Sequence, residues 1–179
     1  MKNQVRKAFI AGASAVLLAV ALAGCKTDPP GSGPVGQYTI EVTLDGSLKT
    51  GSVIVDLVGV NPSSLPRWEA YDMGKYWKDG DPMRRDADKK VLNFVSGEAL
   101  SKSMDNTDEQ WEKWKSKGVT HLLVLADLPG GQTSRPGNQD ARRQILPLYR
   151  SNWPAKTTTL KVLVQRSGIV VLTPTRLTK

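Results

Sequence analysis

Residues 120–128 read THLLVLADL, and this run constrains the fold more than any other. A strand points alternate side chains to opposite faces, so its LLVLA core at 122–126, apolar at every position, is covered on both sides. The stretch predicts a central strand, and a central strand needs neighbours. Six further segments supply them. QYTIEVTL at 37–44 alternates, placing Tyr38, Ile40, Val42 and Leu44 on one face. A DGS turn follows, and then SVIVDLVGV at 52–60, which Asn61-Pro62 ends. KKVLNFV at 89–95 reads as another strand. RRQILPL at 142–148 contains Pro147, which suits an edge position. TTTLKVLVQ at 157–165 turns Leu160, Val162 and Val164 inward, and IVVLT at 169–173 closes a terminal hairpin. Seven short strands without a βαβ rhythm predict a mainly β chain: a β-sandwich of immunoglobulin or transthyretin-like type.

Two segments break the strand pattern. SSLPRWEAYDMGKYWKDGDP at 63–82 predicts one or two short helices near 64–78, with Pro66 at a first helical position and DGDP as the stop. NTDEQWEKWKSKG predicts a better helix over 107–117. Thr107 and Gln110 have capping-box spacing, acids lead, lysines trail, and Gly118 ends it. Trp111 and Trp114 then share a face.

The N-terminal residues carry a different signal. Lys2, Arg6 and Lys7 precede an uncharged apolar run ending in LAGC at 22–25. A basic start, an apolar core and small residues before a cut mark a secretory signal peptide over 1–24. The run is slightly short for a spanning helix, which needs about 20 apolar residues. LAGC resembles the bacterial lipobox. The resemblance implies cleavage between Gly24 and Cys25, with lipid attached covalently to Cys25. Lys26, where an Asp would favour retention in the inner membrane, points to the periplasmic face of the outer membrane, or to the cell membrane in an organism without an outer one. KTDPPGSGPVG then makes 25–36 a flexible, lipid-anchored linker, leaving 37–179 as one sandwich domain.

Removing residues 1–24 takes away three basic residues and no acid. The formal charge of +8 therefore shrinks, and the mature domain stays moderately basic. Such a domain could favour anionic surfaces. Export argues against a nucleic-acid partner. Cys25 is the only cysteine, so its acylation leaves no thiol, disulfide or cysteine metal site.

The remaining chemistry is sparse. His121 is the only histidine and has no nucleophile at a useful spacing; Asp127 lies six residues along an extended strand. Asp79, Asp81, Asp86 and Asp88 fail the calcium-loop pattern, since the sixth and twelfth residues are Arg84 and Lys90. No pair of glutamates is set for glycosidase work. LPGGQTSRPGN at 128–138 lacks the phosphate-loop order and reads as a long hairpin loop. The expectation is no enzyme, no catalytic residues, no metal and no cofactor beyond the lipid. Trp68, Tyr71, Trp77, Trp111, Trp114 and Trp153 lie outside the strands. They either plug the sandwich or form a recognition surface for protein or cell-wall glycan.

The order of these segments resembles the small outer-membrane lipoprotein of the bacterial type VI secretion system. The resemblance rests on SVIVDLVGV, the aromatic helical segment, THLLVLADL, RRQILPLYRSNW and the closing strand pair. It spans roughly 37–173, with departures at 97–118 and 129–140. It implies a structural or interaction subunit that docks a periplasmic protein partner through loops. The alternative is an envelope lipoprotein that binds glycan or another ligand through its tryptophans.

Overall fold

The alternation of QYTIEVTL becomes β1 (Thr39–Leu44), with Ile40, Val42 and Leu44 buried and Thr39, Glu41 and Thr43 on the outer face. The computed structural model describes residues 31–130 and 133–176. The expected signal peptide, Cys25 with its cleavage point, and the first half of the linker lie outside the described residues.

The strands form two four-stranded sheets. One holds β2 (Val53–Val60), β3 (Lys89–Phe94), β5 (His121–Ala126) and β6 (Arg143–Pro147), in the order β3-β2-β5-β6 and antiparallel throughout. As the double-sided apolar pattern requires, β5 is internal and β6 is at the edge. The other sheet runs β4-β1-β7-β8, from β4 (Ser101–Met104), β7 (Thr159–Gln165) and β8 (Gly168–Val171). Here β1 and β7 pair in parallel, Thr39 opposite Thr159. The sequence reading missed β4, because SKSM is polar except at Met104 and only that residue is buried.

Each sheet contributes one face to a shared core. Val53, Val55 and Leu57 meet Ile40, Val42, Leu160 and Val162 there. The opposite faces of β2 and β5 form a second core, where Val58, Val60, Leu123 and Leu125 pack beneath three short helices. These are α1 (Leu65–Ala70), α2 (Met73–Tyr76) and α3 (Pro82–Asp86). The third was not expected. DGDP ends α2, but it also starts α3: the Asp81 carboxylate accepts from the Arg84 backbone N–H at 2.9 Å, and Pro82 needs no partner at a first helical position.

The last helix, α4 (Gln110–Ser116), plugs the end of the shared core. Its Trp111 and Trp114 meet edge to face with centroids 5.1 Å apart. The capping box is not made. Asp108 instead accepts from the Gln110 backbone N–H at 3.0 Å. Gly118 ends the helix with φ of +64°, a conformation glycine adopts without strain. Gly59 faces the Trp114 ring so closely that a Cβ there would sit 2.5 Å from the indole.

The strand directions give the sandwich two ends. One gathers the starts of β1 and β7, the ends of β2 and β6, and α4. The other gathers residues 45–52, 95–100, 127–142 and 166–167. At the first end, the final part of the expected linker is pinned. Gly36 N–H donates to Leu148 O at 2.8 Å, Arg150 N–H to Pro34 O at 3.0 Å, and Gly31 N–H to Asn152 Oδ1 at 3.1 Å. Val35 bridges Tyr149. Described linker residues therefore belong to the folded domain, which begins before residue 37.

Candidate functional site

Two places concentrate polar groups, one under the helices and one at the linker end. The first begins with Asp56, an acid inside the apolar run of β2. Its position puts it on the helix-covered face, and it is fully buried. Tyr76 Oη donates to Asp56 Oδ2 at 2.9 Å, and Arg84 Nε donates to the same oxygen at 3.0 Å. Burial, the Asp56 charge and this hydrogen bond push the Tyr76 hydroxyl far above its ordinary pKa. Burial opposes the Arg84 charge, but Asp56 outweighs it and raises the pKa. Arg84 also lies over the Trp77 ring, 4.5 Å from its centroid. Asp56 Oδ1 and Trp77 Nε1 are buried without hydrogen-bond partners.

Beside this group, Asp140 and Arg143 tie the 133–142 loop to the helices. Asp140 accepts from Arg142 Nε and from the Arg142 backbone N–H at 3.0 Å each, and from the Arg135 backbone N–H at 3.0 Å. Ser134 Oγ donates to Asp140 Oδ2 at 3.1 Å and accepts from the Met73 backbone N–H at 2.8 Å. Arg143 is 1% exposed. It donates to Gly137 O at 2.8 Å, Trp68 O at 2.8 Å and Tyr71 O at 2.9 Å, and also to Arg135 O. Asn138 pairs with the backbone of Ile145, which covers part of the β6 edge. These groups can orient loops. They do not present a nucleophile with a base.

Burial pushes the Asp140 carboxyl up, but hydrogen bonds from Arg142 and from the Arg142 and Arg135 backbones hold it below its ordinary 3.8. A carboxylate lowered in the folded state stabilises fully above its unfolded pKa, and that contribution is lost as pH falls through the folded value. The urea midpoint should therefore fall more steeply in the wild type than in Asp140→Asn below about pH 4. Equal slopes, measured by fluorescence, would refute the assignment.

The tryptophans are mostly interior. Trp68, Trp111, Trp114 and Trp153 are buried, and Tyr71 and Trp77 are half-buried. The indole N–H groups of Trp111, Trp114 and Trp153 donate to Asp105 O, Asp88 O and Pro147 O at 2.9–3.1 Å. Tyr71 Oη donates to Asp81 at 2.7 Å. Of the two expected roles, burial favours architecture: the rings of Trp68, Trp111, Trp114 and Trp153 are packed in the two cores and offer no open face to a sugar.

His121 sits at the start of β5, with Nδ1 2.9 Å from Thr120 Oγ1 and its ring against Tyr149. Burial lowers its pKa. Asp127 lies past the other end of the strand, where burial raises its carboxyl pKa. The described residues contain no group of three or more His, Cys, Asp or Glu able to hold a metal ion. No described helix is long and apolar enough to cross a membrane.

The sequence reading passed over Asp56, Asp140 and Arg143. The signal for Asp56 was present, since an acid within a β-branched run must be buried with partners. Asp140 and Arg143 gave none: Asp140 is one acid in a polar loop, and the partners of Arg143 are backbone groups up to 75 residues away.

The linker end has its own cavity of about 400 Å³, lined by Tyr38, Asn106, Arg150, Trp153, Lys156 and Thr158 among others. A neighbouring cavity of about 310 Å³ shares Gln37 and Arg150.

No family model and no curated protein matches the chain. Solved structures do. A chain of the structure described as "Type VI membrane complex" superposes with a TM-score of 0.50 and 12% identity, covering 78% of this chain and 99% of that one. This chain has that fold. A chain of "T6SS protein TssM C-terminal domain (869-1107) from EAEC" gives a TM-score of 0.51 and 12% identity, over 75% of this chain and 99% of that one. The T6SS lipoprotein TssJ1 from Pseudomonas aeruginosa overlaps more loosely, with a TM-score of 0.46 and 14% identity, over 82% and 100%.

Proposed function

We propose that this chain is a lipid-anchored structural subunit of a bacterial envelope complex of the type VI secretion kind. The membrane holds one end and a protein partner docks at the other. One observation carries the reading: residues 31–36 are pinned at one end of the sandwich, and the loops latched by Asp140 and Arg143 lie at the opposite end. Lipid on Cys25 then holds the domain with those loops directed away from the membrane. LAGC supports the anchor, and Lys26 supports the outer membrane. The fold shared with a type VI membrane complex chain supports the setting. This role needs no catalysis. The glycan-binding alternative loses its main support, because four of the five tryptophans are buried.

Photo-crosslinking residues at Glu98 and Arg135, both exposed at the loop end, test the reading in cells. The expected result is a discrete protein adduct from these positions and none from Ala155. Sedimentation with purified peptidoglycan, and no protein adduct, would overturn it in favour of glycan binding.

A further inference from the structure

The linker end carries cations that the proposed role does not use. Arg150, Lys156 and Arg176 are exposed and form no ion pair with a described carboxylate. The fold brings them together: Arg176 N–H donates to Asn152 O at 2.8 Å, and Arg150 and Lys156 line one cavity. The lysines of α4 differ. Lys113 and Lys115 pair with Glu109 and Glu112. Glu112 also accepts from Gln37, so the nearby acid is engaged.

The cavity shows a second feature. Tyr38 is 3% exposed, and its hydroxyl is buried with no hydrogen-bond partner. Burial raises its pKa and nearby Arg150 lowers it, so the hydroxyl stays protonated and able to donate. Gly36 admits this ring, since a Cβ there would sit 2.5 Å from it. Lys156 has φ of +72°, a conformation that side chains other than glycine adopt rarely and that clusters at ligand clamps. A cavity lined by Tyr38, Arg150 and Lys156 matches a phosphate monoanion or diester.

The chain outside the described region says which phosphate. Cys25 and Gly31 are six residues apart, a reach of at most about 20 Å. The eight residues of β2 span about 25 Å along the sandwich. A tether shorter than the domain keeps the Arg150 end against the surface that holds the lipid. Anionic headgroups attract clustered Lys and Arg within a Debye length of that surface.

We propose that this end is a headgroup-binding face. Arg150, Lys156 and Arg176 rest on anionic phospholipid, and the cavity beside Tyr38 accepts a headgroup phosphate. The face would fix the orientation that the short tether favours. This inference rests on the lipid anchor at Cys25.

The test uses the acylated protein in vesicles of phosphatidylcholine with or without phosphatidylglycerol. Acylation of Cys25 leaves no other thiol, so Ala155→Cys and Ser96→Cys each take one fluorophore, at the linker end and the loop end. A quencher carried on lipid headgroups should quench the label at 155 far more than that at 96 when phosphatidylglycerol is present. Adding Arg150→Glu and Lys156→Glu, or raising the salt concentration, should reduce the difference to the level that the tether alone gives in phosphatidylcholine. Equal quenching at both positions, or a difference that charge reversal leaves unchanged, overturns the face while leaving the anchor intact. Mass spectrometry of the N-terminal peptide separates the two readings: unmodified Cys25 overturns both.

Discussion

Cys25→Ser should move the protein from the membrane fraction to the soluble or unprocessed fraction, with membrane retention falling on the order of 100-fold or more. The reason is additive. Each buried methylene contributes about 0.8 kcal/mol, one chain holds only marginally, and several hold stably. Serine cannot supply the thiol sulfur that accepts the diacylglycerol. Stability should not change, because the core residues among those described fall within 38–171. Fractionation, incorporation of labelled fatty acid and a thermal melt of the released domain read these outcomes together. A serine variant that stays in the membrane would instead identify residues 8–24 as an anchoring helix and end the lipoprotein reading.

Arg143→Met should destabilise the fold by about 3–5 kcal/mol, because four carbonyls lose their donor at about 1 kcal/mol or more each. Methionine fills similar space but donates nothing. The carbonyls of Trp68, Tyr71, Gly137 and Arg135 would then lose a donor in one step. For a domain of this size the melting temperature should fall by roughly 10 °C. The lesion has a place as well as a size. Amide exchange should rise first in α1, α2 and 133–142, while β1 and β7 stay protected until global unfolding. Lysine at this position restores the charge without the guanidinium fork, so it should recover little. A Met variant within about 1 kcal/mol of wild type would show that the 133–142 loop is not latched by Arg143.

The strands were legible wherever side chains alternate. Tyr38 to Leu44, Leu160 to Val164 and the double-sided THLLVLADL all declared their faces, because period-two burial is written in residue type. β4 was illegible for the converse reason. Its residues are polar, and only pairing with β1 makes SKSM a strand. The third helix was missed because an Asp-Pro pair both ends one segment and starts the next. At the polar site, Asp56 could have been flagged from its apolar neighbours, whereas the partners of Arg143 are main-chain atoms that no residue pattern encodes.

Sequence alone therefore determined the strand inventory apart from β4, the buried position of β5, the two helical excursions and the expectation that Cys25 carries lipid. These follow from local periodicity and short motifs, in which nearby residues carry the information. Tertiary structure alone decided that β1 pairs in parallel with β7, that four of the five tryptophans are buried, that residues 31–36 are pinned to the domain, and that Arg150, Lys156 and Arg176 share an end. Each depends on contacts between residues far apart in the chain, and burial is set by what the rest of the fold brings against a side chain.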